Sequence, residues 1–222
     1  MALIANTKIR GLQKMEEINF IARWAHLLFG ITWIGMLYYF NFVQGGYFKS
    51  ATPEGLADAK AKLAPNALWW FRWGAMFTFF TGLYLLGTIS STLGVNEFII
   101  VGAVMGTIMF LNVWFVIWPA QRIALGMVDG DGPAAGAKAL LASRTNTLFS
   151  APMAYFMLAS AHKGAQYSAE GLSAGLWVAL LVVAALEVNA LKGKQGPMAS
   201  VNGVIFSSIA LTAVLAGILY FI

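Results

Sequence analysis

Six stretches of about twenty predominantly apolar residues follow one another along the chain, and no other feature limits its fold as strongly. A helix that crosses the hydrocarbon core of a bilayer needs about 20 such residues. The stretches run from about Asn19 to Val43, Ala67 to Ser91, Val95 to Trp118, Leu140 to Ala161, Leu172 to Leu191 and Ser200 to Ile222. Backbone in lipid must satisfy its own hydrogen bonds, and the alternation of barrel strands is missing here, so the stretches are helices. The expected fold is an all-α integral membrane protein. Its bundle of about six transmembrane helices forms a single domain over residues 1–222.

Composition agrees. Only 10% of the 222 residues are charged and 59% are hydrophobic, whereas soluble domains carry roughly a quarter charged residues. Such a chain cannot cover itself with polar surface, so its solvent is the lipid bilayer. It holds no cysteine, which excludes disulfides, iron–sulfur clusters and the C-x-x-C-H attachment of c-type haem. The net charge of +5 is spread over the loops; it sets orientation and lipid contact, and no nucleic acid is expected as a partner. The amino terminus, MALIANTKIRGLQKMEEINF, lacks the order of charge, apolar core and small-residue cleavage site of a signal peptide.

The connections predict short interfacial helices in two loops. In TPEGLADAKAKLAPN, Thr52 is placed to cap a helix with Pro53 in its first turn. In DGDGPAAGAKALLASR, turn residues lead into helix, and Ser143 to Thr147 are expected in the polar first turns of the fourth span. Pro119 is expected to end the third. Six spans put 5 of the 14 Lys and Arg on one side (Lys8, Arg10, Lys14, Arg23, Lys163) and 9 on the other. The richer side is then cytoplasmic, with both termini outside. Trp24, Trp69, Trp70 and Trp118 fall at span ends, as interfacial belts require.

The chain has 2 histidines. His26 opens the first span in WAHLLFGITWIGMLYYFNF, and His162 closes the fourth. Odd and even spans run in opposite directions, so both imidazoles lie near the same side at similar depth. That suits ligation of one haem iron between helices. Gly30, one turn below His26, would let a flat macrocycle approach, and Trp33 lies two turns below. The plainer reading is a pair of interfacial hydrogen-bonding histidines, and both stand at this point. Copper ranks below haem because few soft ligands cluster nearby; the 10 methionines are scattered like packing residues.

Charges inside spans are costly unless paired or able to reach water. Arg72, in WWFRWGAMF, would suit a haem propionate or an anionic substrate. Glu187 either pairs with Arg72, in competition with Arg122 and Arg144, or snorkels to the interface. Asn41, Asn112 and Asn146 are read as amides that hold helices together.

Four ordered blocks carry a family resemblance: WAHLLFGITWIGMLYYFNFVQ, NALWWFRWGAMFTFFTG, NVWFVIWPAQR and ASRTNTLFSAPMAYFMLASAH. Together they resemble the amino-terminal membrane domain of the bacterial cytochrome-c-coupled urate hydroxylases, over roughly residues 20 to 165. The first block is also distantly similar to membrane protoporphyrinogen oxidases and copper-resistance membrane proteins. In the former a first-helix histidine is associated with haem b, and His26 matches it. The resemblance implies haem b as cofactor and urate, or a similar small heteroaromatic, as substrate. It also implies the bacterial inner membrane as location. The family's enzymes continue into a c-type cytochrome domain; this chain is expected to lack it and to pass electrons to a separate cytochrome c. The other expectation is a haem-bearing or structural accessory subunit of a larger membrane oxidase, monooxygenase or respiratory complex, as a hetero- or homo-oligomer.

Overall fold

The computed structural model describes residues 2–92, 94–163 and 172–222, with the side chains of residues 2–10, 12, 92 and 163 left aside. Lys8, Arg10 and Lys163, counted in the charge balance, therefore lie outside the described side chains. Among the described residues there is no strand, and the bundle is all-α. Nine α-helices are described: α1 (Ala2–Tyr38), α2 (Gly45–Ser50), α3 (Pro53–Asp58), α4 (Ala64–Thr92), α5 (Glu97–Leu111), α6 (Trp118–Ala124), α7 (Gly132–Lys163), α8 (Ala174–Lys192) and α9 (Val201–Phe221).

Several of these join without a break. Among the described residues, Gln13–Ser50, Pro53–Ser91, Glu97–Ala124, Ala174–Lys192 and Val201–Phe221 are the five continuous segments long and apolar enough to cross a membrane; α7, which holds the fourth of the six expected spans, is not one of them. The joins are π-helical turns at Tyr39–Gln44, Ala59–Leu63 and Asn112–Ile117. Two of them stand just ahead of a proline, Pro65 and Pro119. A proline inside a helix lacks one N–H and crowds the carbonyl four residues back; a turn widened to the i→i+5 pattern absorbs both. Pro119 therefore does not end the third span, as the sequence suggests, but is carried through into α6. The loop helix begun by Thr52, whose hydroxyl accepts from the Gly55 N–H at 3.2 Å, is likewise continuous with the second span rather than separate.

The second expected loop helix is the beginning of α7 itself. That helix starts at Gly132, well before the expected Leu140. Ser143 to Thr147 thus sit turns inside it, not in its first turn. Ser143, Arg144, Thr145, Asn146, Thr147 and Ser150 are all buried. The reason is positional: α7 lies against α1, α5, α6, α8 and α9, so its polar middle faces neighbours and not lipid. Pro152 lies inside α7 and leaves the Leu148 carbonyl without its usual donor. Ser208 of α9 supplies one, its hydroxyl donating to that carbonyl at 2.8 Å.

Contacts fix the directions. His26 opposite Thr78 and Phe40 opposite Phe71 make α1 and α4 antiparallel. Phe79 with Phe110 and Trp73 with Trp114 do the same for α4 and α5. Asn96 with Ser160 and Asn112 with Asn146 do so for α5 and α7. Small residues let the backbones close: a Cβ added at Gly74 would lie 3.1 Å from the Trp33 nitrogen, and one at Gly102 would lie 3.1 Å from Met157 Cγ. The apolar centre contains Trp33, Leu37, Phe71, Phe98, Met105, Met109, Phe149 and Phe156, so several of the methionines are packing residues. Trp24, Trp69 and Trp70 are exposed on the outer surface, in keeping with an interfacial belt.

Candidate functional site

Two groups of polar side chains stand near opposite ends of the spans. The histidine end is built on α1 and α4. The ring nitrogen Nδ1 of His26 lies 2.9 Å from the Thr78 carbonyl and 3.0 Å from Thr81 Oγ1. A carbonyl only accepts, so Nδ1 carries the proton and the neutral ring keeps its lone pair on Nε2. The Thr81 hydroxyl donates to the Phe77 carbonyl at 2.6 Å, which turns an oxygen lone pair toward the imidazole. Gly82 makes room for the ring: a Cβ there would lie 3.0 Å from His26 Cε1. Gly30 faces α4 as well, an added Cβ meeting the Thr78 methyl at 3.9 Å. Trp33 is buried, with its indole N–H unpartnered.

His162 is exposed, near the end of α7. The register of α1 against α7 relates the two histidines. The helices meet where the Tyr38 hydroxyl lies 2.9 Å from Ser150 Oγ and where Asn41 Nδ2 donates to Ser143 Oγ at 2.8 Å. Ser150 already donates to the Thr147 carbonyl, so the tyrosine hydroxyl is the donor. His26 precedes Tyr38 by twelve residues and His162 follows Ser150 by twelve, in helices that run oppositely. Each lies about 18 Å along its helix from that contact, toward the same side.

The other end holds a hydrogen-bonded amide seam. Asn112 Nδ2 donates to Asn146 Oδ1 and to Glu187 Oε2, both at 3.0 Å, and Asn146 Nδ2 donates to the Met109 carbonyl at 2.9 Å. The amides join α5, α7 and α8, as expected of interhelical Asn residues. The Arg72–Glu187 ion pair allowed by the sequence does not form among the described residues. The Arg72 guanidinium instead stacks 3.7 Å from the centroid of the Trp118 ring, and Glu187 takes its donor from Asn112. A planar guanidinium is attracted to an aromatic face, though the ring accepts none of its conventional hydrogen bonds. Arg72 precedes Thr78 by six residues, about 9 Å along α4. Its Nε is buried without a partner, as are Arg144 Nε, Trp114 Nε1, Asn41 Oδ1 and Gln44 Oε1.

Sequence reasoning missed this concentration of orphaned polar atoms. Only Arg144 among them lies in SRTNT, a polar run inside an otherwise apolar helix that reads in the sequence as the first turns of a span.

Long apolar helices around a buried polar centre define a multi-pass helical membrane protein. More narrowly, the chain belongs to the urate oxidase N-terminal family, whose model matches residues 91–216. The match contains His162, Arg144 and the Asn112–Asn146–Glu187 seam, while the two earlier blocks, with His26 and Arg72, precede it. No curated protein matches the chain, and no solved structure does.

Proposed function

We propose that this urate-oxidase-related membrane protein is a haem-b redox protein of the bacterial inner membrane. It oxidises a small heteroaromatic such as urate at the outer face and passes electrons to a separate cytochrome c. His26 and His162 hold the iron. The observation that carries the reading is the hydrogen bond from His26 Nδ1 to the Thr78 carbonyl, because it leaves Nε2 as the ligating atom and orients the ring. The equal offsets of the two histidines from the Tyr38–Ser150 contact support it. Haem b bound there supplies one-electron transfer. Thr78 and Thr81 fix the tautomer of His26, Gly82 leaves space for its ring, and Arg72 steers the anion.

His26 and His162 would hold such a group with two imidazoles, and the chemistry it would then supply is electron transfer rather than oxygen activation. That supports a second reading, a haem-bearing accessory subunit of a larger membrane oxidase, monooxygenase or respiratory complex. The optical spectrum of the purified protein tests the shared part: a Soret band is expected, and it should be lost in both His26→Ala and His162→Ala. A band that persists in both variants removes the ligand assignment. Turnover separates the two readings. The catalytic protein consumes urate with added cytochrome c; the accessory subunit does not, and co-purifies with larger partners.

A further inference from the structure

We propose that Arg72, Trp118 and Arg122 form a surface site for the headgroup of an anionic phospholipid, at the seam between α4 and α6. The site needs no haem. The guanidinium of Arg72 lies over the Trp118 ring, 3.7 Å from its centroid. Stacking uses the face of a guanidinium and leaves the donors around its edge free, and the Arg72 Nε has no partner. Arg122 follows Trp118 by one turn on α6 and brings its charge close enough to act on Arg72. Among the described residues the only ion pair is Lys62 with Asp58, so no carboxylate stands between the two guanidiniums. Two like charges at the edge of a bilayer are costly unless an anion joins them, and a phosphate accepts hydrogen bonds from both.

The surroundings suit a lipid. α4 packs against α1 and α5, whereas α6 packs against α7, so the Arg72 side chain reaches across a seam between two helices with different neighbours. Arg122 is exposed, as are Trp69 and Trp70 at the start of the same span as Arg72. Indoles in such positions sit at the level of lipid headgroups. From Trp69 an aromatic wall runs along α4 toward the hydrocarbon. Trp73 lies 6.3 Å from Trp69, 5.8 Å from Phe77 and 5.7 Å from Trp114 of the facing π-turn. Phe77 is 44% exposed, which offers apolar surface to an acyl chain beneath the charged end. Basic groups set between spans at the Lys- and Arg-rich end of a membrane protein hold anionic headgroups, because that leaflet carries them. Arg72 also serves the reading above, so the test is made at residue 122.

The full-length protein is placed in nanodiscs of mixed phosphatidylglycerol and phosphatidylcholine, released into native mass spectrometry and scored for the lipid it keeps. The wild type is expected to retain phosphatidylglycerol in preference to phosphatidylcholine. Arg122→Gln should reduce that preference about fivefold, the worth of one cation beside a headgroup. Arg122 is exposed, so the substitution leaves the core intact. Lys194→Gln removes an exposed charge from the connection between α8 and α9 and should leave the preference unchanged. In parallel, the tryptophan fluorescence of the protein in detergent is followed against urate. Phosphatidylglycerol lost in Arg122→Gln but kept in Lys194→Gln supports the site. A wild type without preference, retention that survives in Arg122→Gln, or an equal fall in Lys194→Gln overturns it. So does urate quenching that depends on residue 122 with no preference for phosphatidylglycerol, which would make the pair a subsite for the substrate anion. None of these outcomes involves the Soret band, so the haem reading stands or falls separately.

Discussion

His26 has its position because Gly82 has no side chain. A Cβ at residue 82 would come within 3.0 Å of the imidazole, so Gly82→Ala must push the ring by a few tenths of an ångström. We expect this variant to keep its fold, lose haem occupancy and unfold with about 1 kcal/mol less stability. The Soret absorbance per protein and a thermal melt check both. Thr81→Val removes one acceptor from His26 Nδ1 but leaves the Thr78 carbonyl in place. Outer-shell partners of this kind alter ligand affinity by about tenfold or more, which a haem titration of the apoprotein would read. Unchanged binding would show that the hydroxyl merely satisfies its own helix. The histidines stood out in the sequence as the only two imidazoles of an apolar chain. Thr78, Thr81 and Gly82 did not, because partners 52 to 56 positions away become neighbours only once α1 and α4 pack.

Five of the six expected spans are legible because twenty apolar residues have few alternatives; the fourth, in α7, carries too polar a middle to count with them. Their ends were less so. Pro119 reads as a stop only if the helix before it is assumed to be regular, and the turn at Asn112–Ile117 shows that it is not. The polar run of α7 reads as surface until α5 and α9 are seen to face it. Glu187 and its two asparagines illustrate the difference: each was visible singly, but their union across α5, α7 and α8 depends on packing. Asn112→Ala would leave acceptors on both Asn146 and Glu187 without their donor, at a cost of about 1–2 kcal/mol. Equilibrium unfolding in mixed micelles should detect that loss. Ser208→Ala would expose the carbonyl freed by Pro152 inside α7 and should cost about 1 kcal/mol in the same assay, with little change if a neighbouring hydroxyl rotates in.

Taken together, the helices put both histidines near one side and all three π-turns near the other. The absence of cysteine from the chain makes this arrangement easy to test. Cysteines introduced singly at exposed Lys49 and Lys194 should react with a membrane-impermeant maleimide from one side, and a cysteine at Ser91 from the opposite side. Labelling of all three from the same side would overturn the directions assigned to the spans. A π-turn holds one more residue than the α-turn it replaces, so each acts as a one-residue insertion in an otherwise regular rod. Deleting Val116 would restore an ordinary helix locally and leave everything beyond it facing much as before, because an i→i+5 turn and an i→i+4 turn each carry the chain about once round the axis. Trp118 would then stay over Arg72, and a shortened chain that is still wholly helical would have kept the stacking of its guanidinium.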